Sequence, residues 1–168
     1  MTKIGYNDGI NMPNLPKYIH QALIKKSKTL AIAESCTAGL ISKILTDNPG
    51  SSKYLLLGIT AYSNQIKKEI LKIPIPILSK KGAVSEEVAL LMAKNVRRLG
   101  KADLGLGVTG IAGPTPTGER INKPVGTVFI AVTDGKHNLC QKFLFTGNRS
   151  SVRKQAALKS LKLLKSAL

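Results

Sequence analysis

The sequence predicts an α/β domain, a three-layer α/β/α sandwich around a mixed central sheet. Three observations lead there. Short apolar runs of strand character alternate along the chain with stretches of helical periodicity. Near the end, "VGTVFIAVT" and "LCQKFLFT" flank the turn "DGKHN", a hairpin signal that places antiparallel neighbours beside helix-connected strands. The length of 168 residues suits one domain. A chain of that size buries roughly 70% of its unfolded surface and needs no covalent staples.

Residues 1–14 are polar, with Gly, Asn and Pro, and read as a loose arm. Residues 15–168 read as the single domain. "PKYIHQALIKKSK" predicts a helix over 16–28, with Tyr18, Ile19, Ala22 and Leu23 on one side. Residues 30–33 form a short buried strand. "CTAGLISKILT" continues as a helix over 36–46, and "DNPGSS" stops it. "YLLLGITAYS" reads as a strand reaching Tyr62. A helix over 64–71 follows and ends before "IPIPI", whose two prolines forbid a helix interior. "GAVSEEVALLMAKNVRRLG" is the clearest helix. Ser85 is its N-cap, Glu86 and Glu87 stand in its first turn, and Arg97, Arg98 and a glycine close it. "ADLGLGVTG" is a strand, and "IAGPTPTGERINKP" is too polar and Pro-rich to be regular. After the hairpin, residues 149–167 form the last helix, with Asn148 or Ser150 as its cap.

Composition narrows the function classes. Two cysteines without a CxxC pattern fit a reducing cytosol, not a disulfide scaffold. The first residues have no signal-peptide core, and no apolar run approaches a membrane span. A cytoplasmic protein without membrane contact is expected. The net charge is +17, from 26 Lys and Arg against 9 Asp and Glu. Such charge favours phosphate-bearing partners. Lysine far outnumbers arginine and aromatics are 4% of residues, so readers of base edges and single-strand binders are not favoured.

Four stretches could carry chemistry. In "AESCTAG", Ser35 and Cys36 fall where a strand feeds a helix, whose N-terminal N–H groups favour anions. Ser35 is either an N-cap or a nucleophile, and Cys36 is either a competing nucleophile or a small buried side chain. Neither His20 nor His137 is placed to serve as a base. In "AYSNQIKKEI", Tyr62, Ser63, Asn64 and Lys67 cluster at a second strand-to-helix junction. Lys67 is either a solvated helix lysine or a base, and the second role requires a depressed pKa. "GLGVTGIAGP" matches GxGxxG, but the match lies inside a strand and no helix follows, so a dinucleotide site is discounted. Thr109, Gly110, Ala112 and Gly113 instead form either a plain turn or a nest of N–H groups for phosphate or oxyanion. In "TGNRSSVRKQ", Arg149 and Arg153 share a helix face, suiting a phosphate or carboxylate unless they are simply solvated. No metal-ligand spacing and no Walker pattern occurs.

Taken together, "AESCTAGLISKILTDNPGSSKYLLLGITAYSNQIKKEIL", "GAVSEEVALLMA", "VTGIAGP", "KPVGTVFIAV" and "GNRSSVR", in this order, resemble the CinA C-terminal domain family. The resemblance runs from about residue 30 to 153. It implies a three-layer α/β/α domain with nicotinamide-nucleotide amidase activity, converting nicotinamide mononucleotide to nicotinate mononucleotide and ammonia. It implies Ser35 as nucleophile, Lys67 as general base and Tyr62 as their support. Thr109, the Gly110–Gly113 loop including Ala112, and Arg149 fall at substrate-binding positions, and Asn64 joins them at the second junction. The resemblance implies no cofactor and no metal, with a homo-oligomer built on dimers. Longer family members carry an N-terminal nucleotide-processing domain, and nothing of its metal-dependent activity is carried over. The alternative is an inactive nucleotide- or nucleic-acid-binding module.

Overall fold

The computed structural model describes residues 15–116 and 123–168. The predicted arm at 1–14 and part of the "GPTPTGERINKP" loop lie outside them. The elements are α1 (Leu15–Lys25), β1 (Leu30–Glu34), α2 (Leu40–Thr46), β2 (Leu55–Thr60), α3 (Asn64–Glu69) and α4 (Ile75–Lys81). They continue with α5 (Glu86–Leu99), β3 (Leu104–Gly110), β4 (Thr127–Thr133), β5 (Asn138–Leu144) and α6 (Arg149–Ser166).

The sheet order is β2-β1-β3-β4-β5. β2 and β3 run parallel to β1, and the hairpin strands β4 and β5 are antiparallel to their neighbours, so the sheet is mixed. From β1 the chain crosses to β2 through α2. It then returns past β1 to β3 through α3, α4 and α5. Crossovers to opposite sides of one strand put their helices on opposite faces of the sheet. On one face α1, α2 and α6 pack on Leu30, Ile32, Leu106, Val108 and Ile130. On the other, α5 and the α3–α4 segment pack on Ala31 and Ala33. That is the predicted three-layer sandwich.

The small residues of β3 explain the close packing of α5. A Cβ at Gly105 or Gly107 would collide with the carbonyl oxygens of Ala93 and Ala89. The glycines of "LGLG" therefore serve helix–sheet approach, which is why the GxGxxG match sits within a strand. Ser85 caps α5 as predicted, its hydroxyl accepting the Val88 N–H at 3.3 Å.

Several boundaries differ from the sequence reading. α2 starts at Leu40, not at 36: residues 35–39 form a turn with Ala38 at φ 49° and Gly39 at φ 88°. The strand expected to reach Tyr62 stops at Thr60. α4 goes beyond the sequence reading, in which the two prolines of "IPIPI" forbid a helix interior and no helix is placed there. Pro74 stands at its N-cap and Pro76 in its first turn, where the missing N–H has no helical partner to lose. In α1 the buried side is Leu15, Ile19 and Leu23, spaced by four, while Tyr18 is exposed. Asn148, not Ser150, caps α6 by accepting the Ser151 N–H at 3.0 Å.

Candidate active site

The carboxyl ends of β1, β2 and β3 meet where the chain leaves β1 in both directions, the place where open α/β sheets form clefts. A cleft of about 300 Å³ opens there. Its walls include Ser35, Tyr62, Lys67, Thr109, Ala112 and Arg149, and Asn64, Gly110 and Gly113 also border it. The residues that the family resemblance places at the site, and Asn64 with them, are thus brought to one cleft.

Ser35 leaves the end of β1 and is 8% exposed. Its N–H donates to the Val108 carbonyl at 3.0 Å, extending the β1–β3 ladder by one residue. This strand-end geometry corrects the reading of Ser35 as an N-cap. The α2 N-terminus is five residues further on, and another group occupies it. The buried Glu34 carboxylate accepts the Ile41 N–H at 3.1 Å, the Ser42 N–H at 2.9 Å and the Ser42 hydroxyl at 2.8 Å. An acid in a strand thereby caps the next helix across the 35–39 turn. Gly58 on β2 leaves room for this contact, since a Cβ there would lie 2.8 Å from Ser42 Oγ.

Lys67 lies one turn into α3, whose cap is Ser63: its hydroxyl accepts the Ile66 N–H at 3.1 Å. The neighbouring Lys68 points to solvent, but Lys67 is 1% exposed. Its Nζ lies 3.1 Å from Ser35 Oγ and donates to the carbonyls of Ala61 at 2.8 Å and Tyr62 at 3.2 Å. Burial of an amine this deep in the wall of a cleft is unusual for lysine. It makes the Ser35–Lys67 contact the most distinctive polar feature of the cleft.

Cys36 is 5% exposed and packs into the α1–α2–α6 core. Burial pushes its thiol up to about 12, with the Glu34 charge adding to the rise and Lys67 and Arg153 opposing it. A thiolate nucleophile is therefore not available near neutrality.

Arg149, the first residue of α6, arches across the cleft. It donates from Nη1 to the Gly113 carbonyl at 2.7 Å and from Nη2 to the Tyr62 hydroxyl at 2.8 Å. Tyr62 itself is 57% exposed. Arg153 shares that helix face but diverges, donating to the Thr37 carbonyl at 2.9 Å. It steadies the turn that carries Ser35 and does not border the cleft as the paired-arginine reading expected. Thr109 Oγ1 donates to the Ala83 carbonyl at 2.8 Å, tying the end of β3 to the segment before α5. Gly113 adopts φ 86° and Gly110 has no space for a Cβ against Val128 and Thr127, so this loop is built from close backbone approaches. Among the described residues, the N–H groups of Ala112 and Gly113 find no acceptor, as a nest for an anion requires.

The sequence reading missed Glu34, the Arg153–Thr37 contact and Ala83. Glu34 could have been suspected as an acid within a buried strand, but its partners are seven and eight residues ahead and invisible to local patterns. Among the described residues no group of three or more His, Cys, Asp or Glu could hold a metal. No described helix is long and apolar enough to cross a membrane.

Fold and cleft together define an α/β domain with a serine and a buried lysine in contact at the switch point of its sheet. The sequence profile of the CinA C-terminal domain matches residues 13–168, and the chain belongs to that family. It is 54% identical over 144 residues to a CinA-like protein of Syntrophus aciditrophicus, covering 83% of this chain and 34% of the relative. It is 45% identical over 157 residues to one of Desulfotalea psychrophila, covering 94% and 38%. The chain thus spans little more than a third of these relatives' length. The crystal structure of a CinA superfamily protein from Escherichia coli superposes with a TM-score of 0.90 at 30% identity, covering 99% of this chain and 96% of that one. The competence/damage inducible protein of Agrobacterium tumefaciens gives 0.86 at 30%, covering 92% and 94%.

Proposed function

We propose that the cleft is the active site of a nicotinamide-nucleotide amidase working by a serine–lysine mechanism in recycling of pyridine nucleotides. The observation that carries this reading is the 3.1 Å contact between Lys67 Nζ and Ser35 Oγ inside a cleft wall. Neutral Lys67 takes the Ser35 proton as Oγ attacks the carboxamide carbon. The Ser35 N–H is already held by Val108, so the oxyanion is stabilised by the following N–H groups of the 35–39 turn. The lysine returns its proton to the leaving nitrogen and ammonia departs, leaving an ester on Ser35. Water, deprotonated by Lys67, adds to that ester. Its collapse restores the serine and releases nicotinate mononucleotide. Arg149 and the Ala112–Gly113 nest take the substrate phosphate, and Tyr62 orients Arg149 through its hydroxyl. Serine and lysine supply nucleophile and base, so the scheme calls for no cofactor.

The test is ammonia release from nicotinamide mononucleotide with chelator present, for wild type, Ser35→Ala and Lys67→Met. Turnover by wild type is expected, with loss in Ser35→Ala and a fall of about 10²–10⁴ or more in Lys67→Met. A folded wild type that releases no ammonia would point to a different amide. Full activity in Ser35→Ala would remove the mechanism.

A further inference from the structure

The cleft uses little of the positive charge, and that charge is unevenly spread. α6 carries Arg149, Arg153, Lys154, Lys159, Lys162 and Lys165, and no acid, in 18 residues. α1 packs beside it, with Lys165 Nζ 5.4 Å from the Tyr18 ring, and adds Lys17 and Lys25, again without an acid. The ion pairs among the described residues lie elsewhere: Lys28–Asp103, Lys43–Asp47, Lys81–Glu87 and His137–Asp134. α6 covers β3 and β4 but leaves the near side of the edge strand β5 open. A groove of about 260 Å³ results, with Gln141 and Phe143 on β5 and Lys159, Lys162 and Lys165 on α6. Lys159 Nζ stands 5.7 Å from the Phe143 ring, stem along the groove and charge at its rim.

We propose that this groove and the cationic ridge of α6 form a docking surface for the phosphate backbone of duplex nucleic acid, bound without sequence preference. Lys159, Lys162 and Lys165 follow one another at three-residue intervals, advancing about 4.5 Å each along the helix. Such a row meets a polymer carrying one charge per about 1.7 Å of axis far better than it meets a compact anion. A second copy of this chain would bring like charges together. An anionic membrane would need an apolar wedge on the ridge itself, and the exposed large hydrophobic side chains nearby lie on the flanking elements, Tyr18 and Ile24 on α1 and Leu139 and Leu144 on β5, not on α6. A single strand would need several stacking platforms, whereas the groove presents Phe143 alone. Lysines without guanidinium forks supply attraction and no base readout. The ridge lies toward the far end of α6 from Arg149, so binding there leaves the cleft open.

The experiment is fluorescence anisotropy with a short labelled DNA duplex of arbitrary sequence, titrated between about 50 and 200 mM salt. The triple variant Lys159→Gln, Lys162→Gln, Lys165→Gln is compared with Lys53→Gln, Lys80→Gln, Lys94→Gln, which removes equal charge elsewhere. Expected are binding by wild type and a loss of about tenfold or more in the α6 variant alone. The slope of log K on log salt should fall by about 0.9 per lysine removed. Thermal melts check that both variants fold. If the α6 triple does not, Lys162→Gln alone is read for a slope change of about 0.9. No binding at the lower salt, or equal weakening by both triples, would overturn the proposal. So would binding to phosphatidylglycerol vesicles in the absence of any to the duplex.

Discussion

Ser35 and Cys36 are neighbours in one turn, yet burial gives them opposite chemistry. Ser35 Oγ reaches Lys67, while Cys36, which also borders the cleft, packs against the core and has its thiol raised to about 12. Burial therefore disfavours the Cys36 thiolate at pH 8. Cys36→Ser should keep most of the turnover, and iodoacetamide at pH 8 should leave Cys36 unlabelled by mass spectrometry. Rapid labelling with loss of activity would reverse the assignment. Arg149 makes its two contacts at the cleft mouth, with Gly113 and the Tyr62 hydroxyl. Arg149→Ala is expected to raise KM for the mononucleotide at least tenfold with a smaller effect on kcat. An unchanged KM would place the phosphate elsewhere. Residue types at these positions were legible because serine, lysine, tyrosine and arginine stand at strand-to-helix junctions. Which of Ser35 and Cys36 meets Lys67 was not, since both border the cleft and the contact that separates them spans 32 positions.

At the scale of elements, the nucleophile turn is held from both sides. Glu34 anchors it to the start of α2, and Arg153 of α6 fastens it at Thr37. Glu34→Ala strips the N–H groups of Ile41 and Ser42 of a buried acceptor. It should cost about 1–3 kcal/mol in urea unfolding. If the clamp positions Ser35, kcat should fall while KM stays near wild type. An unaltered kcat in a destabilised variant would confine Glu34 to stability. α5 and α6 were legible from caps and apolar spacing, signals that act within a few residues. α4 was not, because a Pro-x-Pro start looks like a helix breaker unless the prolines fall at the cap and first turn. The late start of α2 was equally hidden, since its cap comes from the preceding strand.

For the whole molecule, the parallel strands β1 and β3 are tied at their starts by Asp103. Its carboxylate accepts the Thr29 N–H at 2.8 Å and hydroxyl at 2.9 Å, and these bonds hold it below its ordinary value near 3.8. A carboxyl depressed in the folded state stabilises the fold above its unfolded pKa, and that contribution is lost as pH falls through the lower folded value. The melting temperature should therefore decline below about pH 4, and Asp103→Asn should flatten part of that decline. Parallel pH–melting curves for the two proteins would show otherwise.

The sequence by itself determined the layer order and the mixed sheet, because apolar periodicity and the hairpin turn are local properties of the chain. It also placed the chemical residue types at the ends of β1, β2 and β3. Only the tertiary structure decided that Lys67 turns inward to Ser35 across 32 positions, that Arg149 spans the cleft mouth, and that α6 leaves β5 open under a row of lysines. Those outcomes depend on which strand ends adjoin and how closely α5 approaches β3, distances that no window of neighbouring residues contains.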